Sequence, residues 1–283
     1  MALNLGANAI GKLYLGSTQI NKAYLGTTVL FSGGFSPSAL FAGGTEGAWF
    51  DPSDIDTLFQ DSAGTTPVTA SGQPVGKMLD KSGNGNHAVQ ATSSKRPTYT
   101  EGGGLSWLAF DGVDDAMATA AIDFTGTDQM SVFVGVSLLT EDITAAIVEF
   151  STSSTQTNGA FGLFSPTSNV VDGYNFQSRG TANSQNALAN SVERPETAVF
   201  SGLAGISNDR NVFRKNGEVL QSVTNDQGTG NYGEHALFIG ARDQTELNLE
   251  GNIYGLIIPG KLATPAEIAS TEAYMAAKTG VTL

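Results

Sequence analysis

Short apolar runs separated by turn-forming residues make up most of the chain from Trp49 onward. Between Ser131 and Leu138, aliphatic side chains occupy every second position, which is the pattern of a strand with one apolar face. Further apolar runs predict strands at Trp107–Asp111, Ala145–Phe150, Ala160–Phe164, Tyr174–Gln177, Thr197–Leu203, Asn211–Lys215, Glu218–Val223, Ala236–Gly240 and Asn252–Ile258. Many short strands with frequent turns and no alternating helices predict an all-β, antiparallel two-sheet jelly-roll sandwich.

The composition excludes several other classes of protein. Glycine provides 35 of the 283 residues and charged residues only 14%, which fits neither a long helical bundle nor a disordered chain. Cysteine is absent, so a disulfide scaffold is impossible. The net charge of −13 argues against nucleic acid as a partner, because phosphates repel an acidic surface.

The sequence also argues against a membrane segment. No window approaches about 18 consecutive apolar residues, so we expect no membrane insertion. The residues from Met1 to Gly6 lack both the basic and the apolar region of a signal peptide. We therefore expect the chain to be made in a cytoplasm.

Two local signals are clear. Asn216-Gly217 between two strand-like runs predicts a hairpin with a type I′ turn, since both residues tolerate positive φ. Thr264 as N-cap, Pro265 at the first helical position and Glu267 as its capping-box partner predict one C-terminal helix over residues 265–279.

A ten-residue repeat occupies residues 3–31. Leu3–Gly6, Leu13–Gly16 and Ala23–Gly26 align, and an aliphatic residue follows each final glycine by four positions. This pattern predicts short strand, turn and short strand in each unit.

Residues 1–31 carry too little apolar surface to form an independent core, so two interpretations stay open. One is a small β-meander on the flank of the main domain. The favoured one is a docking or oligomerisation segment, with a homotrimer preferred. Its apolar contacts would come from Leu5, Ile10, Leu15, Ile20, Leu25 and Leu30. Residues 32–46 are predicted to be a Gly/Ser-rich linker, and residues 47–283 the sandwich.

Several short sequence motifs follow one another along the main domain. They are Gly47–Asp54, Leu79–Ala88, Leu108–Asp115, Val212–Gly217 and Phe238–Ala241 followed by Glu250–Tyr254. In this order they resemble the concanavalin A-like, laminin-G-like jelly-roll superfamily. Together with the repeat, they resemble a version found in structural proteins of tailed bacteriophages. The resemblance implies a two-sheet sandwich, a glycan-binding surface on a concave face or at loops and, in some relatives, a calcium ion.

Catalytic patterns are weak. Sandwich glycosidases usually carry their two carboxylates on one strand as Glu-x-Asp-x-Glu, because alternate residues face the same cleft. That string is absent, and the four-residue spacing of Glu246 and Glu250 does not mark one strand face. His87 and His235 lie far apart with no cysteine partner, which argues against zinc. We expect a protein that is not an enzyme.

Calcium is the one cofactor that the residues suggest. Asp80, Asn84 and Asn86 offer oxygen atoms at alternating positions of one loop, and Asp111, Asp114 and Asp115 form a second oxygen-rich cluster. The alternative is that these side chains close their loops as Asx-turns.

Exposed aromatic rings could stack on the apolar face of a sugar. The candidates are Tyr99, Trp107, Tyr174 and Tyr232, with a core position as the alternative for Trp107.

The expected function is a non-enzymatic component of a phage virion, such as a fibre, spike or decoration protein, resident in the virion. It would contact other virion proteins through the repeat and attach to host-surface glycan. A glycoside hydrolase or depolymerase and a cellular carbohydrate-binding module are the alternatives.

Overall fold

Two antiparallel sheets enclose an apolar core, which confirms the predicted all-β sandwich. The computed structural model describes residues 4–5, 8–9, 13–15, 18–20, 22–25, 28–32, 35–139, 144–164, 173–182, 185–190 and 195–283. Contacts between residues divide the chain into the units Met1–Ser36 and Pro37–Leu283. Within the described residues, no helix has both the length and the apolar character needed to cross a membrane.

The N-terminal unit contains three hairpins with the predicted period. Its strands, numbered along the chain, are β1 (Asn4–Leu5), β2 (Asn8–Ala9), β3 (Leu13–Leu15), β4 (Thr18–Ile20), β5 (Lys22–Leu25) and β6 (Thr28–Ser32). β1 pairs with β2, β3 with β4 and β5 with β6, and each pair forms a separate two-stranded antiparallel sheet. Ile10 lies outside the described residues, and for Leu5, Leu15, Ile20, Leu25 and Leu30 the backbone is described but not the side chain. The docking role of these residues stays a prediction.

The first sheet of the sandwich has nine strands. In order across the sheet they are β18 (Gln185–Asn190), β17 (Gly173–Arg179), β16 (Ala160–Phe164), β15 (Ala146–Phe150), β22 (Glu234–Ile239), β13 (Met117–Asp123), β10 (Ala88–Val89), β9 (Lys77–Met78) and β8 (Leu58–Phe59).

The second sheet has eight strands. In order they are β11 (Thr98–Gly102), β12 (Leu105–Asp111), β23 (Glu250–Pro259), β14 (Gln129–Leu138), β19 (Glu196–Gly205), β20 (Arg210–Lys215) and β21 (Glu218–Val223), and β7 (Gly47–Phe50) pairs with the end of β23. The predicted strands are all present. Apolar runs did not predict β7 to β11, most of which have two residues, nor β13 and β18.

Alternation along β14 decides where the core lies. Val132, Val134 and Val136 belong to the core between the sheets, as the sequence predicts. Gly135 points the other way, where a Cβ would lie only 2.6 Å from Thr279 Cγ2. The absence of a side chain at residue 135 therefore lets a helix lie close on the outer face of the eight-stranded sheet.

That helix, α1 (Pro265–Thr279), has the predicted caps. The Thr264 side chain accepts from the Glu267 N–H, and the Glu267 side chain accepts from the Thr264 N–H. Gly280 ends the helix with a φ of 74°. The predicted hairpin turn is also confirmed, with φ of 49° at Asn216 and 86° at Gly217.

The predicted linker needs a correction in its second half. A short 3-10 helix spans Pro37–Phe41, and Leu40 within it is fully buried. Two further 3-10 turns occur at Ile55–Thr57 and Ser93–Lys95. Residues 37–46 therefore belong to the sandwich unit, because a buried leucine and phenylalanine tie them to it.

Candidate functional site

Three of the four aromatic residues predicted to stack on sugar rings lie in the core. Tyr99, Tyr174 and Tyr232 are each only 1% exposed. The Tyr174 hydroxyl donates to Glu196 Oε2 at 2.6 Å, and the Tyr232 hydroxyl shares a hydrogen bond of 2.7 Å with Ser178 Oγ. A tyrosine whose hydroxyl finds a partner can be buried whole, so the stacking prediction is wrong for these three residues.

Trp107 differs from the three tyrosines because it remains partly exposed. Its ring lies 5.5 Å from that of Tyr254, tilted by 48°. It lies on β12 opposite Thr100 of β11. A sugar-binding role for Trp107 stays a prediction.

Hydrogen bonds close the Asp80 loop. Asp80 Oδ1 accepts from the Trp49 N–H at 2.9 Å, and Asp80 Oδ2 accepts from the Asn86 N–H at 3.0 Å. The side-chain amides of Asn84 and Asn86 donate to the Gly47 carbonyl at 3.0 and 2.9 Å. These bonds close the loop with Asx-type turns, as the alternative to calcium binding expects. A cation would use the amide oxygens of Asn84 and Asn86 and the carboxylate of Asp80, and calcium binding at this loop stays a prediction.

The second predicted calcium cluster does come together. Asp111, Asp114 and Asp115 each offer one oxygen, and these atoms lie within 4.8 Å of one another. The Asp111 N–H donates to Asp115 Oδ2 at 3.1 Å, so the cluster also closes its turn. Burial, the charge of Asp111 and, less strongly, that of Asp114 raise the pKa of Asp115 to about 6. Three crowded carboxylates are the ligand type that Ca²⁺ prefers, and calcium binding here stays a prediction.

Asp51 lies in a buried network of cations and hydroxyls. It accepts from Lys81 Nζ at 3.1 Å, Lys278 Nζ at 3.0 Å, the Tyr274 hydroxyl at 2.8 Å and Ser53 Oγ at 2.7 Å. Burial alone would raise the pKa of Asp51, but the hydrogen bond from Ser53 and the charges of the two lysines lower it to about 2. This network ties the residue that follows β7 to α1, which is a structural role.

Two further buried carboxylates, Glu149 and Glu272, are also paired with basic side chains. Arg242 Nε donates to Glu149 Oε2 at 2.8 Å, and Arg214 Nε donates to Glu272 Oε1 at 2.7 Å. Glu149 is fully buried and Glu272 nearly so. Each carboxylate is neutralised by an arginine and closed off from solvent, so neither is placed to protonate or attack a substrate.

An open groove lies on β20 and β21, at the edge of the eight-stranded sheet. Its volume is about 500 Å³, and it is lined by Asn208, Arg210, Val212, Val219, Ser222 and Thr224. We call it the β20–β21 groove.

Strand alternation explains the floor of the groove. Phe213 is in the core, so Arg210, Val212 and Arg214 face outward from β20. Arg214 is engaged by Glu272 of α1, which marks where the helix covers this row of side chains. Arg210 and Val212 lie beyond that contact and line the groove.

The wall on β21 follows from strand register. Ser222 pairs with Val212 and Val219 pairs with Arg214, so both wall residues share the outer face. A bulge between these pairs leaves Leu220 without a partner on β20. Val219 is 52% exposed. The groove thus combines an apolar floor and wall with hydroxyl, amide and guanidinium groups.

Comparisons with known proteins bear on the fold. No protein-family model and no curated protein sequence matches the chain. A mutant GH54 α-L-arabinofuranosidase soaked with 4-nitrophenyl α-L-arabinofuranoside is similar with a TM-score of 0.62 and 14% identity, over 87% of this chain and 66% of that one.

Botulinum neurotoxin binding domains are also similar. The serotype G binding domain matches with a TM-score of 0.55 and 9% identity, over 70% of this chain and 49% of that chain. The binding domain of neurotoxin DC in complex with SialylT matches with a TM-score of 0.51 and 10% identity, over 80% of this chain and 52% of that chain. The chain thus spans about half the length of these toxin domains. At such identities the likeness shows a shared β-sandwich fold.

Sequence reasoning missed the β20–β21 groove. The string from Asn211 to Lys215 predicts a strand, but which of its faces carries α1 is not encoded locally. The alternation of Arg210, Val212 and Arg214 was the one available signal, because it places two cations on a single strand face.

Proposed function

We propose that the protein is a non-enzymatic binding and display module whose sandwich binds carbohydrate in the β20–β21 groove. The lining of the groove carries this proposal. Asn208, Ser222 and Thr224 supply hydrogen-bonding groups for sugar hydroxyls, and Val212 and Val219 supply apolar surface for C–H groups. A volume of about 500 Å³ is in the range of small-molecule sites.

The structural neighbours support carbohydrate as the ligand class. One was soaked with an arabinofuranoside and another was solved with SialylT. They share the fold with this chain at low identity, so they add to the argument from the groove and do not replace it.

The buried carboxylates support a role without catalysis. Asp51, Glu149 and Glu272 are each paired with lysine or arginine. These three are therefore not available as the two accessible carboxylates with different protonation states that a glycosidase needs. The GH54 neighbour keeps a hydrolase as the second candidate. Incubation of polysaccharides that bind, followed by measurement of reducing ends, separates the two, because sugar release would replace the binding role with hydrolysis.

A glycan array tests the carbohydrate proposal. We expect the full chain to bind at least one glycan, and Ser222→Tyr to abolish that signal by filling the groove. Gln221→Tyr is the matched control, because residue 221 pairs with the core residue Phe213 and so lies on the opposite face of the strand. An empty array would refute carbohydrate binding, and full binding by Ser222→Tyr would place the site elsewhere.

We further propose that the N-terminal repeat attaches the sandwich to a phage virion as part of a fibre, spike or decoration protein, with a homotrimer as the preferred assembly and host-surface glycan as the target. The three hairpins support this proposal, because an isolated two-stranded hairpin is at best marginally stable in water. Sedimentation of the full chain and of a variant lacking residues 1–34 tests the assembly. Two monomers would contradict it, and a particle map that lacks the protein would contradict the virion location.

A further inference from the structure

Arg210 differs from the other four arginines of the described residues in the surroundings of its guanidinium. The others donate to protein acceptors: Arg96 to Gln90, Arg179 to Asn158, Arg214 to Glu272 and Arg242 to Glu149. Arg210 Nε is buried with no acceptor, and within the described part of the chain its guanidinium has no ion-pair partner. A buried donor without an acceptor is unfavourable. The Arg210 side chain is half-buried and lines the β20–β21 groove, so an anion that enters the groove would find a cation that no described carboxylate neutralises.

The turn before β20 places this guanidinium at one end of the β20–β21 groove. Arg210 pairs in register with Gly205. The backbone N–H of Arg210 donates to Asn208 Oδ1 at 3.2 Å. A Cβ at residue 205 would lie 2.5 Å from Asn208 Oδ1. Glycine at this position therefore makes room for Asn208 beside Arg210, and both side chains line the groove.

We propose that the β20–β21 groove binds a saccharide that carries a carboxylate, with Arg210 as the partner of that carboxylate. The proposal rests on carbohydrate binding by this groove and names the class of sugar. A guanidinium presents donors in a planar fork that matches the two oxygens of a carboxylate. Ser222 and Thr224 on the facing wall then lie where they can meet ring hydroxyls, and Val212 lies beneath.

The same geometry predicts selectivity against neutral sugars. A neutral saccharide offers hydroxyls to Asn208 and Ser222 but no anion to Arg210. Sites with a buried polar group discriminate strongly against ligands that leave it unpaired. The net charge of −13 repels acidic ligands at long range, so binding should depend on the local contact with Arg210.

Titration calorimetry on the full chain tests the proposal with defined probes. The acidic probes are glucuronic acid-containing disaccharides and sialyllactose, and the matched neutral probes are the methyl ester of the former and lactose. Acetate and benzoate serve as carboxylates without a sugar. We expect the acidic sugars to bind at least about tenfold more tightly than their neutral partners, the range of a charge-assisted hydrogen bond. Arg210→Gln should lose about ten- to a hundredfold in affinity, and Arg210→Lys less.

Arg179→Gln is the control, because it removes the same charge from the other sheet. It should change affinity less than about twofold at matched salt. Equal affinity for acidic and neutral sugars, or full affinity in Arg210→Gln, would overturn the proposal and leave carbohydrate binding intact. Binding of acetate as tightly as the acidic sugars would overturn the saccharide part. Failure of every sugar would overturn both. If Arg210→Gln does not fold, the ester comparison on the unaltered protein decides.

Discussion

Replacement of Asp51 by asparagine should destabilise the sandwich by removing the anion that two lysines share. Lys81 and Lys278 both contact the Asp51 carboxylate, whose side chain is 5% exposed. Asparagine keeps the shape and one acceptor oxygen but not the charge. In this variant Lys81 Nζ keeps its ion pair with Asp54 Oδ2 at 2.6 Å. Lys278 loses its ion pair with Asp51, so its charge should be the less well compensated of the two.

The pKa of Asp51 sets the size of the effect. A pKa lowered from 3.8 to about 2 corresponds to about 2.5 kcal/mol of native-state stability at pH 7. Removal of one partner from a buried ion pair costs about 3–5 kcal/mol in other proteins. We therefore expect Asp51→Asn to lower the free energy of unfolding by about 2–4 kcal/mol at pH 7.

The pH dependence gives this prediction its sign. The native state binds the Asp51 proton more weakly than the unfolded state does, so the stabilisation is complete well above pH 3.8 and is lost as the pH falls through about 2. At pH 3 only about 1.3 kcal/mol of the 2.5 should remain. The free-energy deficit of Asp51→Asn relative to the unaltered protein should therefore shrink by about 1.2 kcal/mol between pH 7 and pH 3.

Urea unfolding at pH 7, 5 and 3 measures this deficit. Tryptophan fluorescence includes a contribution from Trp49, whose ring centroid lies 4.7 Å from Lys81 Nζ, and circular dichroism reports on the whole sandwich. Asp54→Asn is the control, because Asp54 is 40% exposed and its loss should cost less than about 1 kcal/mol. A deficit below about 0.5 kcal/mol at pH 7, or one that does not change between pH 7 and 3, would refute the reasoning.

Three further variants test other parts of the structure. Asp115→Asn should stabilise the protein by about 1–2 kcal/mol at pH 8 and by nothing near pH 4, because the raised pKa of Asp115 favours its neutral form and the penalty grows as the pH rises from 3.8 through about 6; the opposite sign would contradict this. If the Asp111 cluster binds calcium, millimolar Ca²⁺ should raise the melting temperature of the unaltered protein more than that of Asp115→Asn, and no rise in the former would exclude the site. Thr264→Ala should cost about 1 kcal/mol through loss of the N-cap, measured by urea unfolding. Gly202→Ala should cost about 1–3 kcal/mol, because its Cβ would lie 2.4 Å from the Phe176 ring, and unchanged stability would show that the ring can move away.

Local signals in the sequence were sufficient to predict those elements whose defining interactions span only a few residues. The capping box at Thr264 joins residues three apart, and the turn at Asn216-Gly217 needs only the positive φ of two neighbours. The alternation in β14 follows from the strand period. The predicted helix, hairpin and sandwich class were therefore confirmed.

Burial of polar aromatic residues was decided over longer distances. Tyr232 is buried because Ser178, 54 positions earlier in the chain, accepts or donates at its hydroxyl. Leu40 is buried although the residues around it read as a linker. The residues around a tyrosine do not show whether it lies at the surface or in the core. That depends on whether its hydroxyl meets a hydrogen-bond partner from a distant part of the chain.

The sequence by itself determined that this chain forms antiparallel strands joined by glycine-rich turns, with a repeat before them and a capped helix after them. These properties follow from strand period, turn conformation and capping, which act over a few residues. Only the tertiary structure decided that Glu272 of α1 pairs with Arg214 while Arg210 lines the β20–β21 groove. The two arginines are equivalent in strand alternation and differ in what the rest of the chain brings to them. Register and helix packing over long range therefore created the candidate site.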